Sequence, residues 1–144
     1  MQIKDIMTKN VISITPKASL KELAALIKQH KINGVPVVTK EGSLVGIVTM
    51  TDLLKILKDI YYWNELENLK PGLGVKDALI TEKEKATVET KMTVGVRTAK
   101  EDDTVDDILK LMCKHDIHTI PVVKNNKLVG IVGLTDIVYA VFNV

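Results

Sequence analysis

The residues best placed to do chemistry are two aspartates, Asp52 and Asp136, each closing a copy of one short motif. The first copy reads Gly46-Ile47-Val48-Thr49-Met50-Thr51-Asp52 and the second Gly130-Ile131-Val132-Gly133-Leu134-Thr135-Asp136. A carboxylate accepts two hydrogen bonds side by side, which suits a pair of vicinal hydroxyls. The apolar run before it reads as a strand feeding a helix start, where free amides and the helix dipole attract phosphate. Thr49-x-x-Asp52 is equally a plain capping box, a hydroxyl and a carboxylate three apart that satisfy free amides. Gly133 has no hydroxyl with which to cap, and the recurrence of the aspartate there argues for a ligand.

Cys113, His115 and His118 are soft-metal ligand types close in sequence. Zinc normally takes four ligands, and no second cluster lies nearby. Cys113 reads as a helix-face filler. His115 repeats His30 at a helix C-terminus, where an imidazole can cap carbonyls and meet the dipole. His118 falls just past the helix, where a cation could meet a phosphate. No nucleophile-base pair, phosphate-binding loop or metal-ligand set is visible, and no histidine has an obvious acid partner. The expectation is therefore a protein that is not an enzyme.

The elements that must position these residues come from a duplication. Met7-Thr8 returns as Met92-Thr93, and the same offset of 85 carries Val11, Leu26, His30, Ile32 and Pro36-Val37-Val38 onto Val96, Leu111, His115, Ile117 and Pro121-Val122-Val123. One residue is lost in a turn before Leu44-Val45-Gly46-Ile47-Val48 matches Leu128-Val129-Gly130-Ile131-Val132. In each copy a hydroxyl (Ser19, Thr104) caps a helix with apolar residues at helical spacing, Leu20, Leu23, Ala24 and Ile27 or Val105, Ile108, Leu109 and Met112. The helices are expected to end near Asn33-Gly34 and His118-Thr119. A buried strand, a polar turn, a return strand and a second helix from about Asp52 follow; the Asn125-Asn126 turn tolerates the left-handed backbone of a tight hairpin. With Val11 to Ile14 as a first strand, the order is β-α-β-β-α. The boundaries read as repeat 1 at 1–57, a partly helical linker at 58–87 and repeat 2 at 88–144. In the linker, Tyr61, Tyr62 and Trp63 are expected to pack, Lys70-Pro71-Gly72 breaks a helix, and Val75 to Leu79 could form another. Lys91 stands where the first copy has Ile6, which leaves the start of repeat 2 open.

Hydrophobic residues make up 46% of the 144 and charged ones 26%, enough for a core and a solvated surface, although about 60 residues alone would be marginal. The net charge of +2 is too balanced for binding nucleic acid through a basic face. The single cysteine permits no internal disulfide. The N-terminus has no signal-peptide pattern and no apolar run approaches a membrane span, so the expected location is cytoplasmic and off the membrane.

A doubled P-V-V followed by G-I-V-T-x-x-D resembles the cystathionine-β-synthase (CBS) domain pair, or Bateman module, over roughly 3–57 and 88–142. The resemblance implies an α/β (α+β) fold of tandem β-α-β-β-α repeats packed as a pseudo-twofold pair. It implies clefts that take adenosine-containing ligands, frequent homodimerisation, and regulation of an attached or partner protein. The family's ribose-binding aspartate falls on Asp52 and Asp136, and the phosphate-contacting hydroxyl three residues earlier on Thr49; the second copy departs from the pattern, with Gly133 at that position. The basic residue that touches phosphate falls on His118, with uncharged Asn33 in the first copy. Ser13 and Thr98 match positions lining the adenine pocket, as do backbone groups around Val35 and Ile120. Thr51 and Thr135, beside the aspartates, complete the candidate set. The expected function is a sensor of AMP, ADP or ATP acting in trans on an effector protein. The alternatives are S-adenosylmethionine as ligand, or a ligand-free dimerisation or docking module. One competent site per chain is expected, the one with His118 and Asp136.

Overall fold

The computed structural model describes residues 1–67 and 86–144. In the first repeat α1 spans Leu20–His30, β1 Gly34–Val38, β2 Leu44–Thr49 and α2 Met50–Glu67. A short α3, Val88–Lys91, leads into α4 at Val105–His115, β3 at Thr119–Lys124, β4 at Lys127–Gly133 and α5 at Leu134–Phe142. The expected helix starts form as read. Ser19 Oγ accepts from Glu22 N at 3.1 Å, and Thr104 Oγ1 accepts from Asp107 N at 3.1 Å. Leu20, Leu23 and Ile27 of α1, and Val105, Ile108 and Met112 of α4, turn inward; Ala24 stays exposed.

Both helices stop earlier than expected. Lys31 and Asp116 take the left-handed conformation, at φ 52° and 50°, and their amides turn back to the carbonyls of Ile27 and Met112. Asn33 and His118 are thereby freed from helix to lead into strands. The hairpins are antiparallel, with Gly34 opposite Thr49 and Thr119 opposite Gly133, and each has a register shift at the same place, after Val37 and after Val122. Asn125 and Asn126 supply the two positive φ angles, 52° and 62°, that a tight hairpin turn needs.

The expected first strand, Val11 to Ile14, shrinks to one parallel bridge. Ile14 N donates to Pro36 O at 3.0 Å, and Val38 N donates to Ile14 O at 2.9 Å. Ala99 bridges Val122 in the same way. The reason lies upstream. Thr8 is bridged to Ile131 of β4, in the other repeat, and Thr93 to Ile47 of β2. Each segment must cross from one sheet to the other within about six residues, too short a length to form a ladder at both ends.

The lead-in segments are thus exchanged. Ile3, in a 3₁₀ turn at Ile3–Asp5, is fully buried among Ala99, Val105, Ile108, Met112, Ile120, Val122, Val132 and Ile137, the core of the second repeat. Val88, 85 positions later, is fully buried among Ile14, Ala18, Leu23, Ile27, Val35, Val37 and Val48 of the first. The hydrogen bonds match: Ile3 N to Asp103 O, and Val88 N to Ala18 O, both at 2.9 Å. The 85-residue offset therefore runs back through Ile3 and Val88, despite the mismatch of Lys91 with Ile6. A pseudo-twofold axis passes where a residue meets its own equivalent. Ser43 bridges Lys127 there, and Gly34 lies against Thr119, whose Oγ1 would be 3.3 Å from a Cβ on Gly34.

A further small core joins Leu20 of α1, Ile56 of α2 and Ala86. Among the described residues, no helix is long and apolar enough to cross a membrane. The expected packing of Tyr61, Tyr62 and Trp63 and the second linker helix at Val75 to Leu79 fall outside the described side chains and residues.

Candidate functional site

Each aspartate sits in the first turn of the helix that follows a return strand, half-buried. In the first repeat the capping box is complete. Thr49 N donates to Asp52 Oδ2 at 2.8 Å, Thr49 Oγ1 donates to the same oxygen at 3.2 Å, and Asp52 N donates to Thr49 Oγ1 at 3.3 Å. In the second, Gly133 N donates to Asp136 Oδ2 at 2.7 Å. No hydroxyl caps at Gly133, as expected, but the carboxylate half of the box forms all the same, so the missing hydroxyl does not by itself argue for a ligand. The carboxylate half of a box needs only the backbone amide of the cap residue, which glycine has. Capping and ligand binding are compatible, because the described bonds of both aspartates run through Oδ2 and involve Oδ1 in none.

The residue just before each hairpin delivers the next group. The carbonyl of Asn33 accepts from Met50 N at 2.8 Å and that of His118 from Leu134 N at 2.9 Å. Asn33, Thr49, Thr51 and Asp52 thus gather at one end of the β1–β2 hairpin, and His118, Gly133, Thr135 and Asp136 at the equivalent end of β3–β4. The two clusters flank the axis at Gly34 and Thr119. A Cβ built on Gly133 would lie 3.5 Å from Asp136 Oδ2, 3.7 Å from Thr135 Oγ1 and 3.8 Å from the His118 carbonyl oxygen, so these groups converge on one point.

His118 is exposed, and its Nε2 lies 3.7 Å from Asp116 Oδ1. This is an acid partner that the sequence does not make obvious, since Asp116 comes into reach only by ending α4 in the left-handed conformation. His115 behaves otherwise. Desolvation, then the charges of Arg97 and Lys114, lower its pKa from the ordinary imidazole value, so it stays neutral further into acid. The cationic dipole partner expected there is opposed by its two basic neighbours. Cys113 is free and exposed, and no group of three metal-ligating side chains occurs among the described residues.

The remaining candidates are dispersed. Val35 and Ile120 are fully buried, so only their backbone can face a ligand. Ser13 is half-buried beside the Ile14 bridge. Thr98 lines an open cavity of about 290 Å³ with Leu44, Val45, Gly95, Val96, Val123 and Asn126. That cavity lies where the exchanged segment crosses between sheets, at the opposite strand ends from Asp52 and Asp136, and neither aspartate lines it. Sequence reasoning misses Leu44, Val45, Val96 and Val123 as lining residues. Their apolar types read as core, and only the crossing makes them a wall.

The fold is a tandem of two repeats related by a pseudo-twofold axis, each with an aspartate at a helix start, and the model of the CBS domain matches residues 3–59 and 86–143. The chain belongs to the CBS domain family. It is similar to an uncharacterized protein of Methanocaldococcus jannaschii, at 35% identity over 97% of this chain and 90% of that one. Against another curated relative it spans as little as 22% of the length. The CBS domain pair of protein MJ0100, solved with 5′-methylthioadenosine and S-adenosyl-L-methionine, superposes at TM-score 0.78 with 32% identity, covering 98% of this chain and 99% of that one. CBSX2, solved with AMP, superposes at TM-score 0.77 with 25% identity, covering 99% and 96%.

Proposed function

We propose that this chain is a regulatory module, not a catalyst, that holds an adenosine-containing ligand at its helix-start aspartates and acts on a partner protein. The observation that carries this reading is the convergence of the His118 carbonyl, the Thr135 hydroxyl and the Asp136 carboxylate at the head of α5, with the described hydrogen bond of the carboxylate made through Oδ2. The support from relatives is that similar CBS pairs were solved with AMP, and with 5′-methylthioadenosine and S-adenosylmethionine; the moiety common to all is adenosine. In this reading Asp136 Oδ1 accepts from a ribose hydroxyl and the His118 imidazole donates to a phosphate, which favours AMP, ADP or ATP. Occupancy shifts how the repeats pack, and the partner reads that shift.

Calorimetry with AMP, ADP, ATP and S-adenosylmethionine tests it, with affinity expected in the micromolar range for at least one (about 8 kcal/mol). Asp136→Asn separates the two roles of the side chain. The amide oxygen still accepts from Gly133 N, so the melting temperature should fall by no more than about 4 °C as the helix start loses a negative charge, while affinity falls about tenfold or more because the amide nitrogen then stands in place of Oδ1 and cannot accept from ribose. Silence for all four ligands, or unchanged affinity in Asp136→Asn, defeats the assignment.

One observation favours a second, compatible role in self-association. Met50, Leu54 and Leu57 on α2 and their equivalents Leu134, Val138 and Val141 on α5 are between 36% and 59% exposed. Both sets repeat at i, i+4, i+7, one face of each helix. The same apolar stripe in both repeats suits the self-complementary surface of a twofold homodimer. Sedimentation should give twice the 15.9 kDa chain mass, and Leu54→Glu with Val138→Glu should return a monomer. A monomeric parent chain removes this role. A docking module without a ligand would dimerise yet gain no thermal stability from any nucleotide.

A further inference from the structure

The exchanged lead-in segments are held by matching contacts on the two sides, with the charges reversed. Glu89 N donates to Pro16 O at 2.9 Å, and Lys4 N, 85 positions earlier, donates to Glu101 O at 3.0 Å. Ser19 bridges Thr87 as Thr104 bridges Gln2. On the first repeat, Lys17 Nζ lies 2.5 Å from Glu89 Oε1. The same two positions on the second repeat hold Asp102 and Lys4. The flanking residues differ in the same sense. Residues 101–107 include Glu101, Asp102, Asp103, Asp106 and Asp107, where 16–22 include Lys17, Lys21 and Glu22. Asp5, next to Lys4, is turned to its own segment, where its Oδ2 accepts from Gln2 N at 3.0 Å.

We infer that charge directs each lead-in segment to the opposite repeat: Glu89 to the basic loop at Lys17, and Lys4 to the acidic loop at Asp102. The other contacts cannot make that choice. The backbone bonds are alike for both segments, and Ile3 and Val88 are aliphatic plugs that either core would bury. Reach does not decide it either, because the chain between Ile3 and Ile14 extends to about 36 Å when straight. Docking on the home repeat would set Lys4 beside Lys17 and Glu89 beside Asp102. Each exposed pair is weak alone, but two attractions are then exchanged for two repulsions of similar size, which together favour crossing by about tenfold. This device needs no ligand and stands apart from the functional reading.

The test compares two engineered disulfides in chains whose exposed Cys113 is replaced by serine. Gln2→Cys with Thr104→Cys spans a bridged pair and closes within the chain only when the first segment is crossed. Gln2→Cys with Ser19→Cys closes only when that segment docks at home. In a thiol redox buffer at low salt, the chain with native charges should form the crossed link and little of the home link. Lys4→Glu with Glu89→Lys reverses both segments, and the ratio of crossed to home link should fall about tenfold or more. Loss of the Ser19 or Thr104 cap is common to both charge states and cancels in that comparison. Adding Lys17→Glu and Asp102→Lys should restore the native ratio. At about 1 M salt, where the Debye length is about 3 Å, reversal should have little effect. A ratio unmoved by reversal at low salt overturns the inference. So does a fourfold variant that keeps the reversed ratio. A reversed chain that loses the crossed link without gaining the home link also overturns it, because charge would then hold the segments without directing them.

Discussion

Replacing Ile3 with alanine is expected to destabilise the protein by about 3 kcal/mol, within the range for emptying a filled aliphatic site. A residue so near the N-terminus is ordinarily expendable, because chain ends are frayed and poorly packed. Here Ile3 is fully buried against α4, β3 and β4. Its segment is fastened by Ile3 N to Asp103 O at 2.9 Å and Lys4 N to Glu101 O at 3.0 Å. The damage should appear about a hundred residues away. Hydrogen exchange should accelerate first in β3 and β4 rather than in β1 and β2, with the urea midpoint lowered at unchanged slope. Val88→Ala should produce the mirror image, exposing β1 and β2, with a smaller loss because valine is smaller. Exchange that instead accelerates in the repeat to which the mutated residue belongs by sequence would contradict the exchanged packing.

The second large effect belongs to a pair of glycines. Gly46→Ala should cost about 1–3 kcal/mol, and Gly130→Ala less, although the two are equivalent by sequence. A Cβ on Gly46 would meet Met92 Sδ at 2.5 Å and, more stubbornly, the backbone oxygen of Thr93 at 3.0 Å. That carbonyl is held by Ile47 N at 3.0 Å, so it cannot retreat without breaking the bridge between the lead-in segment and β2. The three atoms nearest a Cβ on Gly130 all belong to the Met7 side chain, with Sδ at 2.5 Å. Methionine has three rotatable bonds and can yield. A double-mutant cycle read by thermal melting separates the cases. Met7→Ala should restore most of the stability lost in Gly130→Ala, whereas Met92→Ala should leave much of the Gly46→Ala loss in place. Equal rescue at both sites would mean that the Thr93 carbonyl does not decide the difference.

Much of the site is legible in the sequence as residues and little of it as geometry. Asp52 and Asp136 stand out because each closes a repeated strand-to-helix motif, and both occupy that place. Their hydrogen bonding does not follow from residue type: a capping box suggests a hydroxyl, yet the backbone amide of Gly133 serves the carboxylate half. Asp116 is invisible as a partner for His118 until the helix end is fixed, because a two-residue separation brings side chains together only in a turned backbone. Thr98, expected at the adenine pocket with Ser13, lines a cavity whose other walls come from β2 of one repeat and β3 of the other.

What the sequence determined by itself was periodic and local. The 85-residue offset set the two copies, apolar spacing set the inward faces of α1 and α4, Ser19 and Thr104 set helix starts, and paired asparagines set a hairpin turn. Apart from the offset, each of these depends on neighbours within about four residues, a range over which dihedral preferences and capping bonds act. The offset of 85 pairs Ile3 with Val88 as apolar residues but does not say in which core either is buried, because the hydrophobic effect rewards removal from water without regard to the partner. The exchange of lead-in segments, the loss of the first strands to that crossing and the meeting of Gly34 with Thr119 were decided by tertiary structure alone. They join residues far apart in the chain, and only packing one repeat against the other brings them together.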